Sequence, residues 1–204
     1  MSSGAVYLTT AYLAPVEYYS RLLHGPEVVI EQFDHYIKQT YRNRCVIASA
    51  NGIQTLNIPI ENPDTGKCLT RDIRIAEHGN WRHIHWNAIV SAYNSTPFFE
   101  YYADDFRPFY ENKHEFLFDF NEQLREVVCR LMDLEVSIAY SSAYQKELPA
   151  EVLDCRENIH PKRPTQWSVF KPYYQVFEQK NGFTENLSCI DLLFNMGPES
   201  VLFL

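Results

Sequence analysis

The sequence predicts a single α/β domain with a mixed sheet, an N-terminal βαβ-like unit, an antiparallel hairpin and several aromatic-rich helices. A strand–helix–strand pattern occupies residues 6–33, an Asn-Gly dipeptide separates two strand-like runs near residue 51, and apolar residues recur at helical spacing between residues 83 and 131. Alternating strands and helices favour a parallel sheet, and the dipeptide adds an antiparallel pair. Because 204 residues without a repeat or linker suit one unit, we expect one domain over residues 1–204.

The opening unit starts with the run Val6-Tyr-Leu-Thr-Thr, whose β-branched and aromatic residues are typical of a strand. Pro15 suits the first turn of a helix that reaches about His24, where Gly25-Pro26 ends it. A second strand is expected over residues 27–33. Two strands joined by a helix within so short a stretch favour parallel pairing.

The hairpin is predicted over about residues 44–60, because Asn51-Gly52 tolerates the positive φ angles of a tight turn. A loop is expected at residues 62–67, and the alternation of residues 71–76 indicates a half-exposed strand. Helices are expected from residue 83 to about 93, over residues 98–103, and over residues 190–195. A helix is also expected over residues 116–131, where six apolar residues share one face: Phe116, Phe120, Leu124, Val127, Val128 and Leu131.

The segment at residues 141–172 contains four prolines and is predicted to be a surface excursion, the only plausible seam in the domain. The net charge of −8 excludes nucleic acid as the main partner, because phosphate backbones require a basic surface. The sequence contains no run of about 18 apolar residues that would predict a membrane span, and its first residues lack the pattern of a secretory signal. We therefore expect a cytoplasmic protein.

Five scattered cysteines without a CxxC pair indicate reduced thiols and exclude a zinc finger or ribbon. The sequence contains no nucleotide-binding or nucleophile fingerprint, so it predicts no cofactor. A metal site at His83 and His85 is disfavoured, because residues two apart point in nearly opposite directions on a helix. His85 is either a general base, since histidine titrates near neutral pH, or a core residue packed beside Trp81.

A cluster of polar residues follows the second predicted strand, where parallel sheets commonly bind ligands. It contains Lys38, Arg42 and Arg44, and such cations suit a phosphate or a carboxylate. If the segment stays extended, these three side chains share one face. The alternative is a solvated connection with ordinary surface charges.

The chain resembles the WbqC-like family of bacterial surface-polysaccharide loci over about residues 5–200. The strings that carry the resemblance are Tyr12-Leu-Ala-Pro-Val-Glu-Tyr-Tyr, His35-Tyr-Ile-Lys-Gln-Thr-Tyr-Arg-Asn-Arg, Asn57-Ile-Pro-Ile, residues 81–93, Pro97-Phe-Phe-Glu-Tyr-Tyr and Asn186-Leu-Ser-Cys-Ile-Asp-Leu-Leu-Phe-Asn. One departure matters. Many members end their first strand with Met-Gln-Pro, whereas this chain has Thr9-Thr10-Ala11. If the glutamine performs chemistry elsewhere in the family, we expect this protein to lack that chemistry.

The resemblance implies a transferase of O-antigen or related polysaccharide synthesis that moves a glycyl or other acyl group to a sugar. Tyr36, Lys38, Asn43 and Arg44 fall on the family's Y-x-K…N-R string, and Trp81, His85 and Tyr93 on its W…Y string. From this we predict a small-molecule substrate such as a nucleotide sugar or acyl donor. Its anion would contact Lys38 and Arg44, Asn43 would form a hydrogen bond to it, His85 would be the base, and Trp81 and Tyr93 would form a stacking wall. The alternative is a non-catalytic binding or assembly protein.

Overall fold

The computed structural model describes residues 4–61, 66–165 and 171–204, which form a mixed α/β domain. Its main sheet has four parallel strands in the order β5-β2-β1-β6, namely β1 Val6–Thr9, β2 Val28–Glu31, β5 Ile138–Tyr140 and β6 Leu153–Asp154. A second sheet is the hairpin of β3 Arg44–Ser49 and β4 Gly52–Asn57. The predicted α/β class with a parallel opening unit and a hairpin is confirmed.

Helix α1, Val16–His24, connects β1 to β2 and packs on β1. The other helices are α2 Trp81–Tyr93, α3 Phe99–Glu111, α4 Leu117–Leu131, α5 Glu178–Asn181 and α6 Cys189–Met196. A single 3-10 turn spans Thr70–Asp72, and a 3-10 helix of seven residues spans Gly197–Phe203. Helix α2 packs on β3 and α3, and α4 packs on α3 and α6, so the helices and both sheets enclose one core.

The hairpin turn lies one residue earlier than the sequence predicts. Ser49 pairs with Gly52, so Ala50 and Asn51 form the turn. Gly52 then takes a φ of +106°, which glycine adopts at little steric cost. At the end of α6, Gly197 has a φ of +57°, and a Cβ atom there would lie 2.5 Å from the Phe98 ring. Only glycine fits that closely packed position.

Three local predictions differ from the structure. The strand expected over residues 71–76 is a 3-10 turn followed by isolated bridges, Arg74 to Phe116 and Ile75 to Ile60. The helix expected over residues 98–103 continues to Glu111, because Pro108 is accommodated inside it. The segment 141–172, expected to be a surface excursion, supplies β6 to the main sheet and buries Cys155. Part of that segment, and most of the loop predicted at residues 62–67, lies outside the described residues.

Candidate functional site

The carboxyl ends of the four parallel strands meet at one edge of the main sheet. The chain leaves β1 toward β2 on one side, whereas β6 joins β1 on the other, so β1 borders the point where strand order reverses. Ligands of open α/β sheets bind in the crevice outside such a point. A cleft of about 340 Å³ lies there, which we call the carboxyl-edge cleft. Its lining is Asp34, His35, Ile37, Tyr144, Lys146, Asp154, Arg156 and Glu157.

Buried ion pairs form the floor of the carboxyl-edge cleft. The Arg42 guanidinium is 1% exposed and donates to Asp34 and, at 2.8 Å, to Glu157. Burial lowers the pKa of Arg42, but the two carboxylates outweigh that effect and raise its pKa above the ordinary value. Arg156 donates to Asp154 at 2.6 Å and to the fully buried Glu31 at 3.3 Å. Each buried cation is thus held by acids that end a strand or lie a few residues beyond one: Glu31 and Asp154 end β2 and β6, and Asp34 and Glu157 follow them.

A second network joins β1 to α4 behind the cleft. Thr10 donates to Glu122 at 2.8 Å, and Glu122 accepts from Arg125 at 2.9 Å and from Tyr140 at 3.1 Å. Thr10 is fully buried, and its hydroxyl is part of this network. Its position therefore links the sheet to α4.

A wider groove of about 390 Å³ lies beside the hairpin, and we call it the Arg44 groove. Its cations are Arg44 and Arg163, and hydroxyl and amide groups of Thr55, Thr184 and Asn186 line it with them. Arg44 donates through Nε to Asn57 at 2.7 Å, and Arg163 donates to the Glu157 carbonyl oxygen at 2.9 Å. Within residues 4–61, 66–165 and 171–204, neither guanidinium forms a salt bridge, although Glu185 also lines the groove. Both cations are therefore oriented without being neutralised.

Two chain segments border both sites. Residues 34–44 contribute Asp34 to the carboxyl-edge cleft and Arg44 to the Arg44 groove, and residues 154–165 contribute Asp154 to the former and Arg163 to the latter. The Arg42–Glu157 ion pair joins the two segments. Because the same two segments run from one depression to the other, the two sites are neighbours.

The segment around Arg42 is not extended, so the predicted shared face of three cations is wrong. Residues 38–43 form turns, and Gln39 has a φ of +63°. Lys38 is exposed and lines neither site, Arg42 is buried in its ion pairs, and Arg44 lies in the groove. The turns separate the three cations, because side chains alternate regularly only along an extended chain.

The remaining predicted site residues lie apart from one another. Asn43 donates to the Ile58 carbonyl oxygen at 2.8 Å, across the end of the hairpin. Tyr36 is partly buried, and desolvation raises its pKa to about 12, an effect that Arg42 and Arg44 oppose. Trp81 and Tyr93 are core residues, exposed by 5% and 0% respectively. Their predicted roles in substrate binding stay predictions.

His85 lies in the core on α2, in a hydrogen-bonded chain of side chains. Its Nδ1 is 3.0 Å from the Tyr12 hydroxyl, which is 2.9 Å from the Tyr110 hydroxyl. The Trp81 ring lies edge-on to it, with centroids 5.2 Å apart. Burial lowers the pKa of His85 to about 4, so the ring is neutral at neutral pH. It lines neither site, and its role as the base stays a prediction.

Sequence reasoning missed the residues contributed by the segment after β5. Tyr144, Asp154, Arg156, Glu157 and Arg163 all lie in the stretch predicted to be a surface excursion. The signal was the apolar pair Val152-Leu153 followed by three charged residues around Cys155, namely Asp154, Arg156 and Glu157. Such a short pattern indicates a strand only once a neighbouring strand is known. Within the described residues, no cluster of three or more His, Cys, Asp or Glu side chains could hold a metal ion, and all five cysteines are free.

Comparison with known proteins gives a family and one distant relative. A family model described as the WbqC-like protein family matches residues 10–163. The uncharacterized protein Rv1507c of Mycobacterium tuberculosis is 24% identical over 208 residues, which cover 90% of this chain and 89% of that protein. No solved structure matches the chain. In the part of the chain that the structure describes, no helix is long and apolar enough to cross a membrane.

Proposed function

Because the chain belongs to the WbqC-like protein family, we propose that it is a transferase of bacterial surface-polysaccharide synthesis that moves a glycyl or other acyl group to a sugar. The polysaccharide role rests on the family resemblance of its sequence strings. The observation that carries the chemistry is the Arg44 groove, where Arg44 and Arg163 are oriented without a carboxylate partner among the described residues. We assign this groove to the anionic part of the substrate.

The groove suits a phosphate-bearing ligand such as a nucleotide sugar or a phosphorylated acyl donor. Guanidinium groups bind phosphate through paired hydrogen bonds, and each arginine here keeps donors beyond the one that anchors it. The hydroxyls of Thr55 and Thr184 add neutral donors. The acidic surface elsewhere, with a net charge of −8, would repel the same ligand, so binding is expected to concentrate in the groove.

Binding is tested by measuring thermal stabilisation with inorganic pyrophosphate, nucleotide sugars and acyl donors. A ligand at about 100 times its Kd stabilises the folded state by roughly 2.7 kcal/mol, which raises Tm by roughly 5–11 °C in a protein of this size. Arg44→Ala and Arg163→Ala should abolish the shift while leaving the Tm of the free protein nearly unchanged. Arg71→Ala, which removes an exposed arginine outside the groove, is the matched control.

Two further variants separate the predicted roles. Lys38→Ala should weaken binding only if Lys38 contacts the anion, as the sequence predicts. His85→Gln should reduce formation of acylated sugar, measured by mass spectrometry, without changing pyrophosphate binding. If neither pyrophosphate nor any nucleotide sugar or acyl donor shifts Tm, or if Arg44→Ala leaves the shift intact, the proposed groove function is refuted.

The second candidate is a non-catalytic binding protein, and the position of His85 favours it. The predicted base is buried, with its Nδ1 against the Tyr12 hydroxyl, and lines neither site. Tight binding of a nucleotide sugar, with no acylated product from any donor in the panel, would favour this candidate.

A further inference from the structure

The carboxyl-edge cleft has a charge balance that does not suit an anion. Its lining acids are Asp34, Asp154 and Glu157, and its lining bases are Lys146 and Arg156. Counting the direct ion-pair partners Arg42 and Glu31 gives four carboxylates and three cations. Both arginines are already paired, so the excess charge of the cleft is negative. A phosphate or carboxylate would be repelled here, in contrast to the Arg44 groove.

Two of the accessible polar groups of the cleft are carboxylates that can accept hydrogen bonds, and the exposed Lys146 stands among them as a donor. The side chains of Asp154 and Glu157 are 42% and 44% exposed, although each holds a buried arginine. An ionised carboxylate has about four acceptor positions, so each retains capacity for a further donor. Oδ1 of Asp34, on the floor of the cleft, has no hydrogen-bond partner within the described part of the chain. A ligand that brings several hydroxyl donors would match the two exposed carboxylates, Asp154 and Glu157.

An exposed aromatic ring stands beside these acceptors. Tyr144 lines the cleft, is 52% exposed, and has the Arg156 guanidinium 5.3 Å from its ring centroid. The guanidinium also lies 5.8 Å from the Tyr7 ring, and its hydrogen bonds to Asp154 raise the pKa of Arg156, so it is a fixed cation over one face of the Tyr144 ring. An aromatic ring with one apolar face open to solvent can stack against an apolar ligand face.

We propose that the carboxyl-edge cleft binds a neutral, hydroxyl-rich ring such as a pyranose, which stacks on Tyr144 and donates its hydroxyls to Asp154 and Glu157. This inference rests on the proposed transferase function, because it gives the acceptor sugar a place beside the Arg44 groove. The volume of about 340 Å³ is in the range of small-molecule sites and accommodates a single sugar ring.

The test uses saturation-transfer NMR on the whole protein with the neutral methyl glycosides of glucose, galactose, mannose and N-acetylglucosamine. At least one glycoside should bind, and Tyr144→Ala should weaken its Kd by about fivefold or more, because the stacking surface is lost. Tyr144→Phe keeps the ring and should stay within about twofold of the parent protein. Tyr101→Ala, which removes a 77% exposed tyrosine on α3, is the matched control and should have no effect.

Pyrophosphate binding is measured on the same samples, which separates this inference from the proposed function. Loss of glycoside binding in Tyr144→Ala with unchanged pyrophosphate binding supports a separate sugar site. If no glycoside binds while pyrophosphate does, the sugar site is refuted and the Arg44 groove stands. Equal glycoside affinity in Tyr144→Ala and the parent protein, or binding of methylamine and phosphate but of no glycoside, also refutes it.

Discussion

Arg42 and Arg44 lie two residues apart, yet the structure predicts opposite consequences for their removal. Arg42 is 1% exposed and is the only cation that its buried partner Asp34 contacts among the described residues. Its backbone carbonyl oxygen also accepts from Asn121 at 2.7 Å, which fixes the segment against α4. Arg42→Ala removes the side chain and leaves the Asp34 carboxylate buried and uncompensated.

Arg42→Ala is expected to lower the free energy of unfolding by about 3–5 kcal/mol, because removing one partner of a buried ion pair leaves the other charge buried without compensation. That cost lowers Tm by roughly 6–20 °C in a protein of this size. Arg44→Ala removes an exposed hydrogen bond to Asn57 and is expected to cost less than about 1 kcal/mol. Arg42→Ala should therefore be a stability variant, and Arg44→Ala a ligand-binding variant.

The assay is equilibrium unfolding in urea, followed by tryptophan fluorescence, with pyrophosphate binding measured on each folded variant. The double substitution Arg42→Leu with Asp34→Leu is the control, because it removes both buried charges and should recover part of the stability. An Arg42→Ala protein within about 1 kcal/mol of the parent, or an Arg44→Ala protein as unstable as Arg42→Ala, would refute the reasoning.

Three further predictions follow from burial. Phe120→Ala should lower the free energy of unfolding, measured in urea, by about 3–5 kcal/mol, because its fully buried ring packs against four aromatic neighbours. Tyr101→Ala, at an exposed position, should leave that free energy almost unchanged. Burial lowers the pKa of His85 from 6.5 in the unfolded chain to about 4 in the folded protein, so between these pH values only the unfolded chain binds that proton. The free energy of unfolding should therefore drop as pH falls from 6.5 to 4. His85→Gln should reduce the slope of the unfolding free energy against pH in that range. Cys68, the one partly exposed cysteine, should react first with a thiol reagent in the native protein, and mass mapping that finds another cysteine modified first would contradict this.

The sequence by itself determined the elements whose pattern is local. The opening strand, helix and second strand follow from residues that are neighbours in the chain, and parallel pairing follows from the length of the connection. Helix α4 was predictable because its apolar stripe repeats over four turns, and Phe120 in its first turn is fully buried. The sequence also pointed to the carboxyl edge of the first strands, where ordinary α/β topology gathers polar residues.

Only the tertiary structure decided which polar residues meet. Strand β6 has two residues, too few for any periodicity, and it exists because β1 offers an unpaired edge. That pairing brings Glu157 to Arg42 and thereby decides that Arg42 is structural, whereas Arg44, two residues later, faces the groove. Burial of a cation depends on partners distant in sequence, since its desolvation must be compensated by nearby acids. The sequence could therefore locate the edge of the sheet at which the sites lie. Which side chains form those sites was decided by contacts such as Arg42 with Glu157, whose partners are more than a hundred residues apart in the chain.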